Sequence, residues 1–128
     1  MTKRTVVLVD ESGNVPMSRL EVVASALQKQ VQNDFADVWN VTATVTAVAS
    51  AAEIPAAAWP IFIKSDLDVA DVYGYHWVDE KNRPYAWVKF RNGWSLTASH
   101  ELLEMLVNPF LDKYQVTDIS AEIAGDER

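Results

Sequence analysis

Residues 5–16, Thr5-Val6-Val7-Leu8-Val9-Asp10-Glu11-Ser12-Gly13-Asn14-Val15-Pro16, hold a strand, a turn and the start of a helix in one stretch. Thr5 to Val9 is continuously apolar and rich in β-branched side chains, the pattern of a strand buried on both faces. Asp10 to Asn14 supplies turn chemistry. Pro16 stands at a first helical position, where its missing N–H costs nothing. From residue 16 to about 39, apolar side chains recur at Met17, Leu20, Val23, Ala24, Leu27, Val31, Phe35 and Val38. Steps of three and four predict one long amphipathic helix, with Arg19, Glu21, Gln28, Lys29, Gln32 and Asp34 on its polar face.

Working outward, Val41, Ala43, Val45, Ala47 and Ala49 alternate with Thr42, Thr44, Thr46 and Val48. That period of two, in Val and Thr, predicts a strand. Residues 50–58 are a loop of small side chains. Residues 59–63, Trp-Pro-Ile-Phe-Ile, predict a third strand, and Pro60 points to its start or to a sheet edge. Residues 64–70 form a polar connection. The aromatic-rich runs 72–78 and 85–90 flank Asp79-Glu80-Lys81-Asn82-Arg83-Pro84 and predict a hairpin. Ser95 or Thr97 can cap a second helix, which runs to about residue 107 and stops near Asn108-Pro109. Residues 110–128 are polar and acidic, a tail expected to be flexible or cut short. Strand, long helix, two strands, hairpin and helix give an α/β (α+β) single domain over residues 1–128, built on a mixed twisted sheet.

The composition narrows the function. A chain of 128 residues with 49% hydrophobic content, five Trp, four Tyr and four Phe supports one packed core. Net charge is -7 and the eleven Lys and Arg are scattered, so nucleic acid is not an expected partner. There is no cysteine, which excludes disulfides, thiolate catalysis and Cys-based zinc sites. No apolar run approaches the roughly 20 residues of a membrane span, and the first residues run into a strand rather than a secretory h-region, so a cytoplasmic protein is expected. Gly-rich phosphate loops, Gly-x-Ser-x-Gly elbows and EF-hand loops are absent. Asp66, Asp68 and Asp71 lack the turn glycine and closing Glu of a calcium loop and read as a solvated connector.

The chemistry concentrates in Ser99-His100-Glu101-Leu102-Leu103-Glu104-Met105-Leu106. On a helix His100 and Glu104 share one face, about 5–6 Å apart at Cβ, and can share one cation. Glu101 is offset by about 100° and can reach a water beside that cation without occupying a ligand position. This is the logic of the H-E-x-x-H helix, with Glu104 in place of the second His; a carboxylate keeps the ligand but weakens the ion as a Lewis acid. The competing explanation is chance, since His-Glu followed by Glu arises in many solvated helices. Here the surrounding Leu102, Leu103, Met105, Leu106 and Val107 make the helix a core helix, where three polar side chains need a binding partner or a hydrogen-bond network.

In the order of its elements the chain resembles the minimal zincin core of metallopeptidases. It is similar in particular to small bacterial and phage-type zincin-like proteins whose active helix reads Ser-His-Glu-x-x-Glu-Met-Leu-x-Asp-Pro, matched here by residues 99–109 except for Asn108. The resemblance implies zinc or another divalent ion on His100 and Glu104, Glu101 as general base, and a peptide or protein substrate. By the same resemblance Glu122 is the expected third ligand, with Asp126, Asp118 and Asp112 as alternatives; a solvated acidic tail is the competing reading.

His76 lies among aromatics on a hairpin strand, in Tyr73-Gly74-Tyr75-His76-Trp77. A half-buried strand imidazole, a metal ligand and a donor to a developing oxyanion are all open to it, and Tyr75 or Tyr73 could fill the last role. The expected function is therefore a zinc-dependent metallohydrolase acting on peptides. The alternatives are a catalytically inactive zincin-like module, binding or structural, in a larger and phage-related assembly, and an acidic inhibitor-like partner.

Overall fold

The computed structural model describes residues 1–111. Its strands are β1 (Thr2–Asp10), β2 (Val41–Val48), β3 (Trp59–Lys64), β4 (Gly74–Val78) and β5 (Pro84–Lys89). They form one sheet in the order β2-β1-β3-β5-β4. The first four strands of that order run parallel, and β4 is an antiparallel edge strand paired to β5. This is a mixed α/β domain, as the order of sequence elements predicts.

Helices α1 (Met17–Gln30) and α3 (Trp94–Val107) pack on the same face of the sheet. Val6, Leu8, Ile61, Ile63, Ala86 and Val88 on the strands meet Leu20, Leu27 and Val31 from the first helical stretch and Ala98, Leu102 and Met105 from α3. Each fully buried Leu or Ile among them contributes about 1.5–3 kcal/mol. The opposite face holds a smaller cluster of Val7, Val9 and Ala58, against which Val48, Ile54 and Phe62 pack.

Two local expectations are corrected. The long helix is not uniform: α1 passes into a π-helical turn, Val31–Phe35, and then a short α2, Ala36–Trp39. One extra residue in a turn rotates all that follows, so Val38, which continues the apolar stripe on paper, is exposed. Of the two positions open to Pro60, the structure shows the start: it is the second residue of β3, which lies between β1 and β5. Pro60 is tolerated there because pairing with β5 begins only at Ile61, so its missing N–H falls where β3 has a single neighbour. The start of α3 also differs: Gly93, with φ of 89°, precedes the first helical residue Trp94, in place of a Ser95 or Thr97 cap.

Candidate metal centre

Two elements build the site. Helix α3 is held to the sheet by Ala98, Leu102 and Met105, all fully buried. Because these occupy its inner face, His100 and Glu104 fall on the outer flank, each with about half of the side chain exposed (51% and 48%). Glu101 lies between the two environments and is buried at 5% exposure. The edge strand β4 supplies the other wall. Alternation along β4 sends Gly74, His76 and Val78 to the face that α3 covers, and Tyr75 and Trp77 to the opposite face.

Four side chains meet at this seam. His76 Nδ1 is 3.1 Å from Glu101 Oε1 and 3.8 Å from Glu104 Oε1. Glu104 Oε2 is 3.0 Å from His100 Nε2, one helical turn away. The carboxylate of Glu104 thus spans two imidazoles, one oxygen towards each. His76, Glu101 and Glu104 offer ligand atoms that lie within 4.8 Å of one another, a group that could hold a metal ion. Two ligands at about 2.0–2.2 Å on a tetrahedral ion lie roughly 3.4 Å apart, so small side-chain movements suffice to close such a shell. One nitrogen and several carboxylate oxygens suit zinc and other borderline divalent ions.

A buried atom sharpens the assignment of protons. His76 Nε2 is buried and has no hydrogen-bond partner among the described residues. If Nδ1 carries the proton and donates it to Glu101, Nε2 is left as a bare acceptor. If Nδ1 were to bind an ion, Nε2 would carry a buried N–H with nothing to receive it. Orphaned buried donors are rarer than under-satisfied acceptors. The Nδ1–H tautomer is therefore favoured, and in it His76 holds the carboxylate of Glu101.

The close approach of β4 and α3 depends on Gly74. A Cβ there would stand 2.7 Å from Thr97 Cγ2, 3.1 Å from the Trp87 carbonyl oxygen and 3.4 Å from Glu101 Cγ. No motif marks Gly74; a lone glycine inside a strand pattern is the signal in the sequence that points to it.

Tyr75 is not part of this cluster. Its hydroxyl donates to Asp68 Oδ1 at 2.7 Å, and its ring lies 5.9 Å from that of Trp87. Burial, and then the Asp68 carboxylate, push its ionisation well above the ordinary tyrosine value. Glu122, Asp126, Asp118 and Asp112 lie outside the described residues.

No protein-family model matches this chain, and no curated protein or solved structure is significantly similar to it. Among the described residues no helix is long and apolar enough to cross a membrane.

Proposed function

We propose that this chain is a zinc-dependent hydrolase that cleaves peptide bonds, with the ion on His100 and Glu104 and Glu101 as general base. The observation that carries this reading is the 3.0 Å approach of His100 Nε2 and Glu104 Oε2, with the buried Glu101 carboxylate fixed beside them by His76. An ion bound there would lower the pKa of a coordinated water towards 7 and polarise a substrate carbonyl. Glu101, oriented by the Nδ1–H of His76, receives the proton from the attacking water and passes it to the leaving amine. The edge position of β4 supports a peptide substrate: beyond it no further strand lies among the described residues, and an extended chain can add to it by backbone hydrogen bonds, alongside α3. That arrangement of edge strand and helix also supports the zincin-like reading.

A second reading rests on the His76, Glu101 and Glu104 group itself. If the ion takes Glu101 as a ligand, no carboxylate of this cluster is left to act as base, and the site is a structural metal centre in a binding module. One substitution separates the two. Glu101→Gln is expected to retain zinc, measured by calorimetric titration, and to abolish turnover of an unstructured protein substrate. Loss of zinc on Glu101→Gln would instead assign the structural centre, and absence of zinc binding by the unaltered chain would end both readings.

A further inference from the structure

The outer edge of β2 is closed by a side chain. Gln28, on α1, donates from Nε2 to the Ala43 carbonyl oxygen at 2.7 Å and accepts at Oε1 from the Val45 N–H at 2.5 Å. On its other side β2 pairs with β1, so the two groups that Gln28 takes are outward-facing ones. A primary amide carries a donor and an acceptor side by side, like a peptide group, and so substitutes for one unit of a neighbouring strand.

The strand it closes carries no protective residue of its own on that edge. Val41–Val48 reads Val-Thr-Ala-Thr-Val-Thr-Ala-Val, with no charge, no proline and no glycine. Its centre, Ala43-Thr44-Val45-Thr46-Ala47, is the same read in either direction. Antiparallel pairing of two copies about Val45 would set Thr44 against Thr46 and Ala43 against Ala47. Thr44 and Thr46 are exposed, and Ala43 and Val45 face the core, so both copies would keep their cores covered. At the centre of that pairing, Val45 N–H and the Ala43 carbonyl are groups the partner strand would need, and these are what Gln28 occupies.

We infer that the outer edge of β2 is a pairing surface for a second copy of this chain, joined antiparallel about Val45, and that the Gln28 side chain is the gate that keeps it shut. The surface lies on the opposite edge of the sheet from β4, so the inference is independent of the metal centre.

Gln28→Met keeps the side-chain length and helix propensity and removes both hydrogen bonds. In sedimentation velocity the unaltered chain is expected to be monomeric at concentrations where Gln28→Met forms a dimer, with association tightened at least about tenfold. Adding Thr44→Lys should restore the monomer, since it sets two like charges diagonally across the paired strands. A folded Gln28→Met chain that stays monomeric would overturn the inference, as would a dimer indifferent to Thr44→Lys. Should Gln28→Met lose its fold, Gln28→Ala runs the same comparison, because it too removes both hydrogen bonds and adds no charge at the edge. In the unaltered chain the Val45 amide should exchange as slowly as amides in the β1–β2 ladder; exchange at the free-edge rate would show that the gate is not closed.

Discussion

His76 on the edge strand and Glu101 on α3 form a buried contact of 3.1 Å, with 11% and 7% of their side chains exposed. The pair joins the last strand of the sheet to the helix that carries the candidate metal ligands. Its removal therefore affects both stability and the orientation of a carboxylate.

Replacing His76 by Ala should leave Glu101 buried without its partner and cost about 2–4 kcal/mol in metal-free protein. The double variant His76→Ala/Glu101→Ala should lose less than the sum of the single losses, because neither desolvated group then remains. Urea unfolding in the presence of a chelator measures both, and simple additivity would count against a coupled pair.

Metal affinity separates the ligands. Glu104 has one oxygen towards each imidazole, so Glu104→Ala should weaken zinc binding on the order of 100-fold or more under either ion position. His100→Ala should match it if the ion sits between His100 and Glu104, with His76→Ala reducing affinity less. The reverse order would place the ion on His76. Calorimetric titration of the three variants gives the ranking.

Gly74→Val tests the packing on which the site depends. Its side chain would meet Thr97 and the Trp87 backbone, so β4 must move away from α3. We expect a loss of about 1–3 kcal/mol in urea unfolding, together with weaker zinc binding. Unchanged affinity in a folded Gly74→Val chain would show that β4 does not help to form the site.

Tyr75 gives a pH dependence of known sign. Its ionisation is raised in the fold, chiefly by burial and then by Asp68, so the fold favours the neutral phenol. That contribution is complete below the ordinary tyrosine pKa of about 10 and is lost as pH rises through the higher folded value. The urea midpoint should therefore fall above about pH 10, and Tyr75→Phe should flatten that fall. An identical decline in both proteins would remove Tyr75 as its source.

What the sequence determined by itself is what backbone periodicity determines. Alternation along β2 and the apolar steps of α1 and α3 follow from repeats of two and of 3.6 residues. The meeting of His100 with Glu104 needs only the pitch of one helix, so it was legible before any tertiary contact. His76 and Glu101, 25 residues apart, meet only because β4 turns back antiparallel on β5 and Gly74 lets α3 approach. Gln28 read as one more polar residue on a helix face until the register of β2 set a carbonyl and an amide within its reach. Pro60 is compatible with a strand start or a sheet edge, and the length of β5, which leaves it a position with a single neighbour, decides for the start. In each of these cases the deciding distance is set by strand order and register, which depend on how the whole core packs and not on the spacing of residues along the chain.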